Sequence, residues 1–368
     1  MTTAWRAPGR VNVIGEHTDY NGGFALPMAI AEGCTATVER LDDPVLRVRS
    51  AQRDDVADVS LDKLAPETVP DWAGYAAGVV AELRRRGVDT GGLDIHVDGN
   101  VPLGAGLSSS AALSCSVVSA LDDLLELKLE REEWVKIARA AENDFVGAPT
   151  GGMDQMASVL GQAGHVLLCD MATATATPVP FDLVGAELTL VIADSHAPHA
   201  HADGEYRARR EACERGAALL GVDTLRAVQD EDHSAVLDRL RSGGAGDEVV
   251  RRVRHILTEN ARVLAVVERL RAHDVAGTGP LLTESHRSMR DDFEITVERV
   301  DVAVEAALEA GALGARMTGG GFGGCVIALT PQEQADAVGA EITRRFADAE
   351  FQAPRLFTGT PSAGAHLV

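Results

Sequence analysis

Alternation of apolar and polar residues, the mark of a strand with one buried face, dominates the first hundred residues. It predicts strands over 24–30 (FALPMAI), 34–40 (CTATVER), 45–50 (VLRVRS) and 92–100 (GLDIHVDGN). Residues 10–14 begin in the same way, with Val11 and Val13 alternating with Arg10 and Asn12, and then the pattern stops. Residues 16–21, EHTDYN, follow as a dense polar run ending in an Asn-Gly turn signal. A strand is therefore predicted to run into a loop crowded with hydrogen-bonding groups.

Helical spacing takes over elsewhere. Residues 71–87 read as a helix closed by Gly87, 101–127 as a glycine turn opening into an apolar helix, and 131–143 as an amphipathic helix. Acidic residues in the first turn of the last suit the helix dipole. A short helix over 151–160 and a strand over 164–170 follow. The second half opens on an apolar strand at 186–194 and a helix at 204–221 stopped by Gly221, and is mostly helical from 225 to 310. Residues 314–330 read as strand, glycine turn, strand. A helix over 331–346 with proline at its start and a last strand over 353–359 complete the chain. Strands and helices mix without regular βαβ alternation, which predicts an α+β fold. At 368 residues the chain suits two domains, or one large one. The best linker is TATATPVPFDL, residues 173–183, giving expected domains over 1–177 and 178–368.

Composition narrows the function. Hydrophobic content of 45% is enough for packed cores. A net charge of −22 opposes binding to a phosphate backbone, so no nucleic-acid partner is expected. A local site for an anionic ligand stays compatible with it. The five cysteines are scattered and never spaced C-x-x-C, which fits a reducing compartment and gives no zinc signature. The first ten residues lack the apolar run of a signal peptide. The apolar run at 111–121 is stopped by Asp122 and Asp123, too short to span a bilayer. A cytoplasmic protein without a membrane partner is expected. Lysine occurs only at Lys63, Lys128 and Lys136, none beside a glycine-rich loop, which argues against a lysine phosphate clamp.

Two glycine loops carry candidate chemistry. PLGAGLSSSAAL sets two glycines before three serines at the start of a helix. Unpaired N–H groups there carry partial positive charge, glycines admit a phosphate, and a serine hydroxyl could ligate Mg²⁺. Alone, the loop fits phosphate binding or a plain serine-capped helix. TGGGFGG contains a formal G-x-G-x-x-G at Gly319, Gly321 and Gly324, but a strand follows where a dinucleotide fold needs a helix. Close backbone approach or a tight hairpin remains. In PTGGMDQM, Asp154 lies behind two glycines, as a helix cap or as a group reaching a substrate hydroxyl. Arg10 is the cation available to it, and Glu142 is a metal ligand or a surface charge. Together these are the parts that phosphoryl transfer needs.

GRVNVIGEHTDYNGG resembles the galactokinase signature at nearly every position. PLGAGLSSSAAL is similar to the phosphate-loop motif of the wider GHMP small-molecule kinases, GARMTGGGFGGC to their third motif, and TESHRSMRDDFE to a galactokinase segment. The resemblance spans Arg10 to Cys325. It implies a two-domain GHMP kinase fold with the active site in the cleft between domains, galactose and Mg·ATP as ligands, and a monomer without a protein partner. It also implies that Glu16, His17, Thr18, Asp19, Gly151 and Tyr206 bind sugar and that Asp154 is the base toward the C1 hydroxyl. By the same resemblance Arg10 stabilises the transferring phosphate. Gly104, Ala105, Gly106, Leu107, Ser108, Ser109 and Ser110 hold the ATP phosphates, Ser110 and Glu142 ligate Mg²⁺, and Trp72 and Tyr75 lie near adenine. The chain departs from the pattern at Asn143, where histidine is common, and at His196 and Pro198. His196, His199 and His201 fit a metal site poorly, because no carboxylate partner is implied. A galactose sensor without kinase activity and a kinase for another sugar are the alternatives. The intact GLSSSAAL favours catalysis over the sensor.

Overall fold

A computed structural model of the chain describes residues 2–102, 104–148, 150–197 and 202–368. The first sheet uses β1 (Thr2–Asn12), β3 (Pro27–Leu41), β4 (Val45–Ser50), β5 (Ala57–Ser60), β6 (Gly92–Gly99) and β13 (His366–Leu367), after the short β2 (Phe24–Ala25). Its order is β13-β1-β3-β6-β4-β5, antiparallel except for β4 beside β6. Of the strand expected over 24–30, Phe24–Ala25 form β2, and the rest from Pro27 merges with the strand expected over 34–40 into one long β3. Gly33 sits within it because a side chain there would run into the Ala7 carbonyl on β1.

Helices α1 (Gly74–Arg85), α2 (Ser109–Leu125), α3 (Arg131–Ala140) and α4 (Met153–Leu160) cover this sheet, with a π-helical turn at Ala141–Val146 after α3. The next strands are β7 (His165–Asp170), β8 (Thr175–Pro180) and β9 (Leu188–Asp194). The middle of the expected linker is therefore the strand β8, paired with β7 along its whole length. It lies at the edge of the sheet β2-β7-β8, where Pro178 and Pro180 are tolerated because an edge N–H needs no partner. The expected boundary at 177 cuts through this strand. The tail also rejoins the first sheet, since β13 pairs with β1 at Trp5 and Arg6.

The second sheet has the order β10-β11-β9-β12, with β10 (Gly314–Thr318), β11 (Cys325–Pro331) and β12 (Arg355–Gly359), all antiparallel. Helices α5 (Ala202–Leu220), α6 (His233–Ser242), α7 (Asp247–Arg271), α8 (Gly279–Ser288), α9 (Glu298–Glu309) and α10 (Ala335–Asp348) complete the fold. Leu188, Leu190 and Ile192 join the core of the first sheet, whereas Val191 and Ala193 face the helical core. Burial on both faces explains why β9 reads as a continuous apolar run. Among the described residues no helix is long and apolar enough to cross a membrane.

One irregularity directs the chain toward the site. The register of β1 against β3 shifts between Pro8 and Arg10. Gly9 lies there, where a Cβ would sit 2.6 Å from the Leu107 carbonyl. The bulge lets the Arg10 N–H donate to that carbonyl at 3.1 Å, tying β1 to the serine-rich loop before α2.

Candidate active site

The polar loop after β1 folds back on itself through Thr18, whose hydroxyl bonds the carbonyls of Gly15 (2.9 Å) and Phe24 (2.6 Å). Thr18 is fully buried, and its side chain ties the loop together. His17 takes a left-handed backbone, φ 61°. Its Nε2 lies 3.0 Å from the Gly320 carbonyl and its Nδ1 2.8 Å from the Tyr20 hydroxyl. The carbonyl can only accept, which assigns the proton to Nε2. Burial lowers the His17 pKa to about 3, so the ring is neutral.

Side chains from β10 and α7 hold this loop from behind. Thr318 Oγ1 donates to the Asn12 carbonyl (2.9 Å) and accepts from the Asn12 N–H (3.1 Å). Glu16 accepts from Asn12 Nδ2 (2.9 Å) and from the Gly319 N–H (2.8 Å), and lies 3.3 Å from Arg316 Nη2. Arg316 is 0% exposed and donates to the Val13 carbonyl at 2.8 Å. Burial raises the Glu16 pKa, and Arg316 opposes the rise. Glu259 accepts the Gly15 N–H at 3.0 Å. Burial works against its charge, but Arg262 and Arg316 outweigh it and hold its pKa at about 2. Asn260 Oδ1 accepts the Phe24 N–H at 2.8 Å.

The serine loop is built differently. Gly104 and Gly106 have φ of 72° and 74°, and Ser108 is left-handed at 57°. Ser108 precedes α2, yet its side chain caps nothing in that helix; its hydroxyl donates to Asp154 Oδ2. The plain serine-capped helix is thereby rejected. Asp154, in the first turn of α4, receives both Nε (2.8 Å) and Nη2 (2.9 Å) of Arg10 in a bidentate pair. The third nitrogen of Arg10 donates to the Gly106 carbonyl at 2.6 Å. Ser110 Oγ donates to Glu142 Oε1 at 2.9 Å, and Gln155 donates to the other oxygen. Burial, with help from Asp154, raises the Glu142 pKa to about 7. The glycine turn between β10 and β11 closes the gap between the loops, because a Cβ on Gly319 would lie 3.2 Å from the Gly106 carbonyl.

A cavity of about 470 Å³ opens beside these groups. Arg10, Glu16, His17, Asp19, Asp154 and Tyr206 line it, with Gly319 and Gly320 at one wall. Burial and the nearby Asp154 raise the Asp19 pKa, while the N–H of Tyr20 and Arg10 lower it. Tyr206 lies against His17 with ring centroids 4.9 Å apart. Gly151 is outside this wall, immediately behind Asp19.

The family model for the galactokinase galactose-binding signature matches residues 2–40. Those for the GHMP kinases N terminal domain and the GHMP kinases C terminal match 74–162 and 266–348. The galactokinase of Streptomyces coelicolor is 47% identical over 98% of this chain and 93% of its own length. The chain belongs to the galactokinase family. The galactokinase of Mycobacterium tuberculosis H37Rv is 45% identical over 99% of each chain. A crystal structure of Lactococcus lactis galactokinase complexed with galactose superposes with a TM-score of 0.93 at 29% identity, covering 100% of this chain and 95% of that one. The mevalonate kinase of Methanococcus jannaschii shares the fold, with a TM-score of 0.69, 16% identity and 98% coverage of each chain.

Several residues expected from the galactokinase resemblance lie apart from the cavity. Trp72 and Tyr75, expected near adenine, do not line this sugar cavity, and Trp72 donates to Asp55 at 2.9 Å. The departure at Asn143 forms a clasp on Thr150. His196 lies 3.4 Å from Asp194, while Pro198, His199 and His201 fall outside the described residues. Among the described residues no group of three His, Cys, Asp or Glu could hold a metal ion. Sequence reasoning missed Asn12, His255, Glu259, Arg316 and Thr318. A signal existed for two of them, because His255 and Glu259 fall at helical spacing with buried Ile256 and Val263, and charge on an apolar face is unusual.

Proposed function

We propose that the chain is an ATP-dependent galactokinase that transfers the γ-phosphoryl group of Mg·ATP to the C1 hydroxyl of α-D-galactose, giving galactose 1-phosphate and ADP. The observation that carries the reading is the Arg10–Asp154 pair. It borders the cavity on one side, and on the other Arg10 bonds the Gly106 carbonyl of the serine loop. A sugar in the cavity and a triphosphate at the N-terminus of α2 would meet at that pair.

Glu16, His17, Asp19 and Tyr206 supply the donors and acceptors for a sugar, and Gly151 lets the wall approach Asp19. The C1 oxygen attacks the γ-phosphorus, the bond to the β,γ-bridging oxygen breaks, and ADP leaves. The hydroxyl proton passes to Asp154 or is oriented by it. Arg10 and the open N–H groups of α2 offset charge on the phosphoryl oxygens. The Ser110 hydroxyl and the Glu142 carboxylate, bonded to each other at 2.9 Å, would suit Mg²⁺, which favours oxygen ligands and needs few from protein when phosphates complete its shell. Glu142 is buried beside neutral donors and its pKa is raised, as expected of a carboxylate site built around an added cation. When bound, the ion would neutralise phosphate charge. The five buried, unpaired cysteines support the extension of this proposal to a reducing compartment such as the cytoplasm.

The test is ADP release with Mg·ATP and galactose, N-acetylgalactosamine, glucose, arabinose or no sugar. Release with galactose far above the rest is expected. Galactose binding without release from any sugar would make the protein a sensor instead.

A further inference from the structure

The wall that faces Asp19 has a weakness. Thr150 and Gly152 line the sugar cavity on one side and a second cavity of about 410 Å³ on the other, where Gly151 joins them. Gly151 and Gly152 bring no side chains of their own to pack the segment in place, so its position depends on other groups. Gly151 must nevertheless stay close, because a Cβ there would be 2.1 Å from Asp19 Oδ2. Gly152 then leads directly into α4 and Asp154.

A side chain on the π-helical turn supplies the restraint. Asn143 Oδ1 accepts the Thr150 N–H at 2.9 Å and the Thr150 hydroxyl at 3.2 Å, while Nδ2 donates to the Thr150 carbonyl at 3.2 Å. One carboxamide thus grips both backbone polar groups of one residue, as a neighbouring strand would, and its hydroxyl besides. Arg139 Nε adds a longer bond to the same carbonyl, 3.3 Å. The preceding residue, Glu142, turns the other way to Ser110 and Gln155. We propose that Asn143 is a positioning residue of the sugar site, holding the Thr150–Gly152 wall against Asp19 from the turn that carries Glu142. This rests on galactose being the ligand of the cavity.

The grip holds the sugar wall directly and makes no bond to the serine loop, so its loss separates two affinities. Calorimetry on the full chain compares wild type, Asn143→Ala and Asn143→Asp, with galactose and separately with Mg²⁺ plus a non-hydrolysable ATP analogue. Asn143→Asp preserves shape and the acceptor but turns a carboxylate oxygen toward the Thr150 carbonyl. In both variants the galactose Kd should rise about tenfold, the worth of one to two hydrogen bonds, with nucleotide Kd within about twofold of wild type and a matching rise in KM for galactose. Unchanged galactose affinity in a folded variant overturns the proposal, as does equal loss of both affinities. Failure of both variants to fold overturns it too, since Asn143 would then serve the fold at large. A wild-type protein that binds no galactose removes the functional reading first, and the positioning role with it.

Discussion

The polar loop after β1 and the serine loop before α2 meet at Arg10, yet they are held by opposite means. The first is fastened by side chains distant in sequence: Arg316 and Thr318 on β10, and His255, Glu259 and Asn260 on α7. The second rests on backbone carbonyls bonded to Arg10, and Ser108, just before the helix, turns away to Asp154. The difference matches what each would bind. A sugar presents hydroxyls at fixed angles and needs rigid partners, so a loop locked by buried charges suits it. A triphosphate is met by N–H groups, and a loop that leaves a helix N-terminus uncapped suits that.

The largest expected effect falls where the loops join. Asp154→Asn should keep the fold and most galactose affinity while kcat drops by about 10²–10⁴; single-turnover kinetics beside calorimetry would show the split. Near wild-type turnover would remove Asp154 from the chemistry. Next comes the lock on the polar loop. Arg316→Met leaves two buried carboxylates, Glu16 and Glu259, without their shared guanidinium, and should cost about 3–5 kcal/mol of stability in urea unfolding. A loss under about 1 kcal/mol would show that the lock is not electrostatic.

The two sides should also differ with pH. Below about 7 Glu142 carries a proton that a metal must displace. Affinity for Mg·nucleotide should therefore rise with pH up to about 7, by as much as tenfold per unit, and level off above it. Glu142→Gln should abolish the slope. On the sugar side, His17 stays neutral down to about pH 3 and adds no slope to galactose affinity between pH 6 and 8. The smallest effect separates a cap from a ligand to Asp154. Ser108→Ala should lower kcat about fivefold, the worth of about 1 kcal/mol, with an unchanged Tm. A Tm loss with intact kcat would restore the helix-cap reading.

These contrasts also show what the sequence could disclose. The chain's own periodicity revealed the strand–turn–strand at 314–330 and the helix stopped by Gly221, because each is decided by neighbours. The polar loop announced itself by density of polar groups. Its fastenings did not, since Arg316 and Glu259 look like ordinary charges until the fold buries them. Strand β8 was hidden for another reason: an edge strand needs only one set of partners and keeps its prolines, so it reads as a linker. Asn143 was visible only as a departure from a pattern, and its purpose depends on Thr150 seven residues later.

The most direct test is phosphorus NMR of the product made from galactose and Mg·ATP. A single sugar phosphate whose phosphorus couples to the anomeric proton is expected, formed in step with ADP. Phosphate on another carbon, or inorganic phosphate alone, would contradict the convergence of both loops on the C1 hydroxyl at Arg10 and Asp154.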